Sequence, residues 1–571
     1  MVKLSWLLVV TVVVCYGGVS EARKKNLPKV DVTGYGTVQG VIKTTTWSER
    51  KYLKFKNIKY AASPERFKPS VPFVPGAPSN DAHITSSEEE REKDGVVNWY
   101  KSKNLFCPSL ETLHDFNLDD IDEDPDMEDC LFLSVSTRNR TGNQPVMVYL
   151  AGYDVVRKES DLREAVPHYL LEKDVVLVAV QYRVGPFGFL STMTEDMPGN
   201  VGVLDIIEAL RWVQKYIKYF GGDPTRVTLF GQYHSAAIIN ALTMSPLCEK
   251  EPLFSQVIYQ SGSALLDGIA TDKPIECLKQ MGVSLKCTSS DDLAQLAKCL
   301  KAAKPLDLLR AYSEYLDEMK EFPFLTVGGP SGVLTDFPSK LLENGNFRGY
   351  PTIGGSVKHP GVCNAMRDVN STTFRTEYKT NLDSLKKLFE SIGTKNEDQI
   401  KYVDEKFPNK IFFNNIFKAV LPAIIDIKGL DIKYATSHAL KHNADKGAPS
   451  FLYAFNYFGF FSRLDCAKEV LNDVSLADDS IYLFPYPEKV ENLTWKDIKM
   501  AKFMVNLWTS FAATGSPSAP GLHKWPILEK GNFGPYLGID FIYKMGFDYS
   551  QEYFVTLKDQ MKSINIYDND V

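Results

Sequence analysis

The sequence predicts one large α/β domain, in which a central, mostly parallel β-sheet is flanked by helices. Two observations carry this prediction. Apolar, β-rich runs alternate with helical patterns along the chain, which is the order expected of repeated βαβ units. In addition, no Gly-, Ser- or Pro-rich linker, internal repeat or low-complexity run divides residues 21–571. The chain therefore offers no boundary at which a second domain would begin.

The clearest βαβ unit lies between residues 145 and 230. Residues 145–150 (PVMVYL) and 175–180 (VVLVAV) are short apolar runs, as expected of strands that are buried on both faces. Residues 203–219 have a helical pattern that ends at FGGDP, and residues 227–230 (VTLF) form the next predicted strand. This spacing predicts neighbouring parallel strands of a doubly wound sheet.

The composition argues against several classes of function. The 571 residues are 44% hydrophobic and 24% charged, with a net charge of −6, which is typical of a globular protein with a large core. The mild acidity provides no broad attraction to phosphate backbones, so nucleic acid is not an expected partner. Beyond the N-terminal segment no apolar run reaches about 18 residues, so no membrane span is predicted.

The N-terminal segment predicts export from the cell. Lys3 precedes an apolar stretch over residues 4–15, and small residues then lead into the polar segment EARKK. This pattern is typical of a signal peptide over residues 1–20, cut near Ser20 or Ala22. Three N-glycosylation sequons fit the same route: Asn139, Asn370 and Asn492. We therefore expect a secreted, extracellular glycoprotein.

Several blocks of the chain resemble one protein family. The longest covers residues 199–231 (GNVGVLDIIEALRWVQKYIKYFGGDPTRVTLFG). Further blocks follow the family's order: 55–61 (FKNIKYA), 128–133 (EDCLFL), 181–185 (QYRVG), 260–262 (QSG) and 508–512 (WTSFA). The chain is thereby similar to the type-B carboxylesterase and cholinesterase family over essentially its whole mature length. The resemblance implies an α/β-hydrolase fold, and residues 474–484 (VSLADDSIYLF) are closest to arthropod members.

In this family the catalytic serine stands on a G-x-S-x-G elbow between a strand and a helix. Here the elbow reads GQYHS over residues 231–235, with Tyr233 in the nucleophile position. A phenol with a pKa of about 10 is a poor acyl-transfer nucleophile, and its ring takes the space of the substrate carbonyl. Ser235 does not replace it, because the fourteen residues from Gly231 to Ser245 keep the family's register. Ser235 would also lie about 200° around the helix from position 233.

The resemblance implies that the other catalytic positions are replaced as well. Pro360 stands where the family's acid loop has a carboxylate, and Leu476 stands where the family has its histidine base. The oxyanion turn, usually His-Gly-Gly-Gly, reads here Ala151, Gly152, Tyr153 and Asp154. We therefore expect no catalytic residues, no metal, no cofactor and no enzymatic activity.

A new catalytic site at the same place is the alternative. Tyr233, His234, His359 and Asp478 are polar residues that the fold could bring towards one pocket. Neighbouring polar residues at a degenerate site more often pack or hydrogen-bond than form a metal or acid–base cluster. The non-catalytic interpretation is therefore preferred.

The cysteines predict disulfide bonds. Nine are present, and eight remain after Cys15 leaves with the signal peptide, which is an even number in an oxidising compartment. The resemblance implies two pairs: Cys107 with Cys130, and Cys287 with Cys299. The other four cysteines allow three connectivities, of which we predict Cys248 with Cys277 and Cys363 with Cys466.

Residues 119–129 carry eight acidic residues and no basic one. A solvated acidic loop is the simple interpretation. An EF-hand is excluded, because Pro125 and Leu131 occupy positions that require glycine and glutamate. The alternative prediction is that this loop attracts a basic partner through Asp119, Asp120, Asp122 and Asp124.

Three classes of function remain. The leading prediction is a secreted, non-catalytic, esterase-like glycoprotein that binds an extracellular protein or matrix component. The second is an extracellular carrier of a small hydrophobic ligand in the former acyl pocket. The third is a residual or atypical carboxylic ester hydrolase.

Overall fold

The computed structural model describes residues 28–75, 96–97, 106–115, 127–152, 154–157, 160, 162, 165–287, 292–319, 322–362, 413–460, 462–463, 473–485 and 493–554. Several sequence predictions lie outside these ranges. They are the signal peptide over residues 1–20, Tyr153, the sequons at Asn370 and Asn492, the pair Cys363 and Cys466, and the acidic residues Asp119, Asp120, Asp122 and Asp124.

The strands in the described part of the chain are β1 (Lys29–Val32), β2 (Gly36–Gln39), β3 (Val41–Thr44), β4 (Lys51–Lys59), β5 (Val96–Val97), β6 (Phe132–Thr137), β7 (Gln144–Leu150), β8 (Val176–Val180), β9 (Ser191–Thr194), β10 (Met197–Pro198), β11 (Gly222–Gln232), β12 (Gln256–Gln260), β13 (Ala270–Thr271), β14 (Leu325–Thr326), β15 (Thr352–Val357), β16 (Ser450–Phe455), β17 (Tyr536–Ile539) and β18 (Lys544–Gly546).

The α-helices are α1 (Thr112–Asp115), α2 (Gly185–Phe189), α3 (Val201–Tyr216), α4 (His234–Met244), α5 (Pro246–Lys250), α6 (Ile275–Ser284), α7 (Leu293–Ala302), α8 (Pro305–Met319), α9 (Pro338–Glu343), α10 (Phe413–Asp445), α11 (Trp495–Thr514) and α12 (Tyr549–Tyr553). Short 3-10 helices cover Leu170–Glu172, Ile217–Phe220 and Asp478–Tyr482. Among the described helices, none is both long enough and apolar enough to cross a membrane.

One eleven-stranded sheet forms the centre of the molecule, in the order β18-β17-β16-β15-β12-β11-β7-β8-β6-β4-β3. All neighbours from β17 to β8 are parallel. The strands at the two ends pair antiparallel. The predicted fold class, a large and mostly parallel sheet flanked by helices, is therefore confirmed.

The predicted βαβ unit is also present. The apolar runs at 145–150 and 175–180 are β7 and β8, and the helical pattern at 203–219 is α3 followed by the 3-10 helix Ile217–Phe220. The strand predicted at 227–230 is longer than expected, because β11 begins at Gly222. The pairing of β11 with β7 shifts register between Gly222 and Val227. That irregularity explains why the apolar pattern marks only the second half of the strand.

The central sheet separates two hydrophobic cores. In β7, Val146 and Val148 belong to one buried cluster. Met147 and Tyr149 belong to the other, because successive side chains of a strand point to opposite faces. Residues of α3 and α4 complete the first cluster, and residues of α11 complete the second. Burial on both faces explains why β7 and β8 are apolar throughout rather than alternating.

Two of the predicted disulfides form, Cys107 with Cys130 and Cys287 with Cys299. The predicted pair Cys248 with Cys277 is wrong, since both side chains are free thiols in the structure. Cys248 lies in α5, whereas Cys277 lies in α6 with its Sγ 3.8 Å from the Sδ of Met281. Burial raises the pKa of the Cys248 thiol to about 12 and also raises the pKa of Cys277. Both cysteines are therefore protonated core residues.

We expect a non-reducing digest to yield the peptides that join Cys107 to Cys130 and Cys287 to Cys299. Cys248 and Cys277 should react with an alkylating reagent only after denaturation, because both are buried and remain thiols at neutral pH. Mass spectrometry of native and denatured samples, each alkylated before digestion, measures this. Recovery of a peptide joining Cys248 to Cys277 would contradict the structure.

Candidate functional site

The backbone of the elbow is present, with Tyr233 at the position that the family resemblance assigns to the nucleophile. Tyr233 connects β11 to α4 with φ 52° and ψ −111°, a conformation that is strained for a bulky residue. Its N–H donates to the carbonyl of Gln260 at 2.8 Å. A Cβ atom on Gly262 would lie 2.3 Å from the carbonyl oxygen of Tyr233. The absence of a side chain on Gly262 thus lets the loop after β12 support the elbow.

The ring of Tyr233 is half-buried and lies almost parallel to the imidazole of His234, with centroids 4.0 Å apart. His234 also packs against Phe324, at 5.0 Å between ring centroids. Its Nδ1 lies 3.3 Å from Oδ1 of Asp154, and the same carboxylate oxygen accepts the N–H of Val156 at 3.1 Å. An aromatic stack and a carboxylate therefore occupy the mouth of the elbow.

Ser235, the alternative nucleophile, is fully buried in the first turn of α4. Its hydroxyl donates to the carbonyl of Gly152 and accepts from the phenol of Tyr182, at 2.9 Å from that oxygen. Burial raises the pKa of Tyr182, so this phenol keeps its proton at neutral pH. The Ser235 proton points to a carbonyl rather than to a base. That Ser235 is not a nucleophile stays a prediction.

The segment at the oxyanion position continues directly from β7. Ala151 is fully buried, and its N–H donates to the carbonyl of Val180 at 3.2 Å. This N–H is therefore committed to the sheet. Gly152 has a φ of 87° and presents its carbonyl to Ser235. Of the predicted oxyanion residues that the structure describes, Asp154 reaches the elbow with its side chain, where it contacts His234.

The loops at the acid and base positions lie side by side, as the family fold requires, but with apolar residues. Pro360 is buried after β15, and Leu476 is 6% exposed within the core on the α4 side of the sheet. The backbone of His359 forms a parallel bridge with Ser475, and its N–H donates to the carbonyl of Val474 at 3.2 Å. The loops meet through backbone contacts, and neither apolar side chain can transfer a proton.

The four residues of the alternative site do not form one cluster. Tyr233 and His234 stack on each other, whereas Nε2 of His359 lies 3.2 Å from Oδ2 of Asp473. Burial opposes ionisation of Asp473, but hydrogen bonds from His359 and Lys358 outweigh it and lower the pKa of this carboxyl. Within the described ranges, no group of three or more His, Cys, Asp and Glu residues is arranged to hold a metal ion.

Asp478, the fourth of these residues, is almost fully buried and bonded within its own loop. Its Oδ1 accepts from the hydroxyl of Ser462 and the N–H of Arg463, each at 2.8 Å. Its Oδ2 accepts the N–H of Ser475 at 2.8 Å. Burial, opposed by these hydrogen bonds and assisted by the neighbouring charge of Asp479, raises the pKa of Asp478 to about 7.

Asp479 ties the base-position loop to the carboxyl edge of the sheet. Its Oδ1 accepts from Nε2 of Gln232, at the end of β11, at 2.7 Å. Its Oδ2 accepts from Nε2 of Gln260, at the end of β12, at 3.1 Å and from the phenol of Tyr453 in β16 at 2.8 Å. These residues form the Asp479 clamp. No sequence pattern indicated this clamp, although Gln232 lies within the elbow and Gln260 within the block QSG.

Comparisons with known proteins place the chain in a family. The sequence profile of the carboxylesterase family matches residues 26–555. The chain is 29% identical to glutactin of Drosophila melanogaster over 72% of its own length and 41% of glutactin. It is 29% identical to juvenile hormone esterase of Tribolium castaneum over 87% of this chain and 85% of that protein. It is 27% identical to liver carboxylesterase 1F of Rattus norvegicus over 92% of each. The chain thus spans less than half of glutactin but most of the two esterases.

The buried carboxyl of Asp478 should make stability depend on pH. Its pKa is raised from 3.8 to about 7 in the folded state, so the unfolded chain releases the proton at a lower pH than the folded chain does. The contribution of Asp478 to the free energy of unfolding is therefore complete below about pH 4 and is lost as the pH rises to about 7. Denaturant unfolding of the wild type and of Asp478→Asn, measured from pH 4 to 8, tests this.

As the pH rises from 4 to 8, the free energy of unfolding of the wild type should fall by on the order of a few kcal/mol relative to that of Asp478→Asn. The nearby pair of His359 and Asp473 is present in both proteins, so its contribution cancels in the difference. Parallel curves for the two proteins would mean that Asp478 is ionised in the folded state throughout.

Proposed function

Because the chain belongs to the carboxylesterase family, we propose that it retains the family's scaffold, does not hydrolyse esters, and acts by binding an extracellular protein or matrix component. The observation that carries this proposal is the elbow. Its strained backbone is kept, but the nucleophile position presents a phenol whose ring is stacked on His234.

Acyl transfer needs a nucleophile that a base can deprotonate. The phenol of Tyr233 has an intrinsic pKa of about 10, and the base and acid positions hold Leu476 and Pro360. Ser235 has its hydroxyl hydrogen-bonded to Gly152 and Tyr182. An active esterase would therefore have to move this hydroxyl out of the core and find a base elsewhere.

The residues around the elbow also disfavour the charge that forms during ester hydrolysis. A tetrahedral intermediate carries a negative oxygen, which esterases stabilise with backbone N–H groups. Here the N–H of Ala151 is bonded within the sheet, and the carboxylate of Asp154 lies beside the elbow. A second negative charge at this distance raises the energy of an oxyanion.

The preserved parts support a binding role. The Asp479 clamp, the elbow backbone and the disulfide from Cys107 to Cys130 keep the loops at the carboxyl edge of the sheet in place. These loops carry function in α/β folds. Secretion rests on the predicted signal peptide and on the sequons, of which Asn139 is exposed in the turn after β6.

One observation favours the second candidate, a carrier of a small hydrophobic ligand. The apolar side chains of Leu476 and Pro360 replace charged groups next to the elbow, and one relative is named for an esterase of juvenile hormone. Apolar side chains at these two positions suit an apolar ligand. Native mass spectrometry of the purified protein distinguishes the candidates, since a carrier would retain a small molecule of constant mass.

We expect neither the wild type nor Tyr233→Ser to hydrolyse phenyl or naphthyl esters above the rate of a heat-unfolded sample. The new hydroxyl of Tyr233→Ser has no base at Leu476 and no acid at Pro360, and loss of triad members costs several orders of magnitude in rate. Release of phenol or naphthol, followed by absorbance, is the measurement.

Ser235→Ala is the control for an unexpected active site. It removes the other hydroxyl of the elbow segment and one hydrogen bond to Gly152, so folding is checked by circular dichroism. Turnover by the wild type that disappears in folded Ser235→Ala would assign the nucleophile to Ser235 and refute the proposal. Turnover gained by Tyr233→Ser would show that a base lies close to the elbow.

A further inference from the structure

A surface on the opposite side of the sheet from the elbow helix combines lysines with aromatic rings. We define the lysine–aromatic face by six residues: Trp47, Trp495, Lys496, Lys499, Lys502 and Phe541. We propose that this face binds an acidic polysaccharide, one that carries sulfate or carboxylate groups on its sugar rings. The inference does not depend on whether the chain hydrolyses esters.

The lysines stand close to the rings. The ammonium groups of Lys499 and Lys496 lie 4.7 Å and 5.3 Å from the centroid of Phe541. The ammonium group of Lys502 lies 5.4 Å from the ring of Trp47. Each of these lysines is exposed, and in the described ranges none has a carboxylate within ion-pair distance. Three positive charges are thus grouped beside aromatic rings, on a chain whose net charge is −6.

The rings are held in fixed positions. Trp495 is the first residue of α11, after a capping box between Thr494 and Asp497, and its ring meets Phe541 at 5.5 Å and 82°. Trp47 stacks on Tyr169 with centroids 4.7 Å apart. A surface whose rings are already immobilised loses less entropy when a ligand binds.

The described acidic groups nearby are held in hydrogen bonds of their own, and the carboxylate of Asp540 accepts the N–H of Phe541. Asp497 points inward, where its carboxylate caps α11 and accepts from the phenol of Tyr457 at 3.1 Å. Glu172 accepts the N–H groups of Trp47 and Ser48. These hydrogen bonds lower the pKa of Glu172 against the opposing effect of its burial. Its charge therefore serves to hold the Trp47 loop.

The face extends along α11 into a cleft. Trp495, Lys499, Lys502, Asn506 and Ser510 are spaced three or four residues apart and so share one side of the helix, over about 22 Å. At its far end lies a cleft of about 530 Å³, whose lining mixes polar and apolar residues: Lys173, Asp174, Asn506, Thr509, Ser510 and Ser518 with Val175, Ala513, Ala519 and Pro520. The carboxylate of the adjacent Asp174 is paired with Arg138 at 2.9 Å.

The aromatic rings, lysines and cleft that follow one another along α11 match a sugar polymer with acidic groups. Its pyranose rings present flat C–H faces that pack on aromatic rings, its anionic groups pair with ammonium groups, and its hydroxyls suit the amide and hydroxyl lining of the cleft. A lipid bilayer fits less well, because the apolar side of α11, including Met504 and Trp508, faces the core and is not available for insertion.

The test is binding of the full-length protein to immobilised heparin, with measurement at several salt concentrations. We expect saturable binding that weakens as salt rises, because polyanion binding releases counterions. The triple variant K496Q/K499Q/K502Q should bind at least about tenfold more weakly, with a shallower salt dependence. W495A should weaken binding by about three- to tenfold, as expected for loss of one stacked ring, and leave the salt dependence unchanged.

The matched control is K250Q/K273Q/K298Q, which removes the same number of exposed lysines away from this face and should bind as the wild type does. Circular dichroism establishes that each variant is folded. Equal loss in the control variant would overturn the proposal, since binding would then follow total charge.

Three further anionic ligands are tested in parallel, so that binding to a polysaccharide can be distinguished from binding to a lipid surface or to an acidic protein. Vesicles containing phosphatidylserine represent a lipid surface, poly-glutamate an acidic protein segment, and dextran sulfate a polyanion of different sugar geometry. The proposal expects heparin to bind most tightly and W495A to affect heparin more than poly-glutamate. It is overturned if heparin does not bind, if vesicles or poly-glutamate bind more tightly, or if W495A leaves heparin binding unchanged.

Discussion

The carboxylate of Asp479 is the constraint on which the geometry of the carboxyl edge depends. It is fully buried and receives hydrogen bonds from Gln232, Gln260 and Tyr453, which lie on three strands of the central sheet. Its burial raises its pKa, and its three donors would be left unsatisfied if it were removed. One side chain therefore fixes the ends of β11 and β12 relative to the loop that holds Leu476.

Because of this constraint, the backbone geometry at the carboxyl edge does not depend on which side chain stands at position 233. The elbow conformation of Tyr233 is held by the backbone of Gln260 and by the close approach of Gly262, neither of which requires a serine at position 233. The acid and base loops meet through the backbone of His359 and Ser475. The backbone of these segments is thus held by groups other than the side chains of Tyr233, Pro360 and Leu476.

The sequence predicted the parts of the fold that depend on local pattern. Apolar runs located β7 and β8, and glycines after a helical pattern located the end of α3, because burial and periodicity are written in consecutive residues. It failed for Cys248 and Cys277, since the number of cysteines does not report which side chains meet. The assignment of Tyr233, Pro360 and Leu476 to catalytic positions rests on family spacing and stays a prediction, whereas the structure shows that the loops of His359 and Ser475 meet.

Contacts between residues that are far apart in the chain could not be predicted from sequence patterns. Gln232, Gln260 and Asp479 come from separate segments, and nothing in their neighbours marks them as partners. The lysine–aromatic face likewise combines Trp47 with Lys502 and Phe541. The spacing of Trp495, Lys499 and Lys502 along one side of a helix was readable, but charges on an exposed helix are usually only solvated. The stacked rings distinguish this face.

The most direct test of the central claim is treatment of the native protein with a fluorophosphonate, which bonds covalently to an activated serine in an esterase site. Intact mass spectrometry then reports whether an adduct has formed. The account predicts an unchanged mass under conditions in which an active carboxylesterase is fully labelled, because the hydroxyl of Ser235 donates to the carbonyl of Gly152 rather than to a base. A stoichiometric adduct at Ser235, mapped by digestion and absent after prior unfolding, would contradict it.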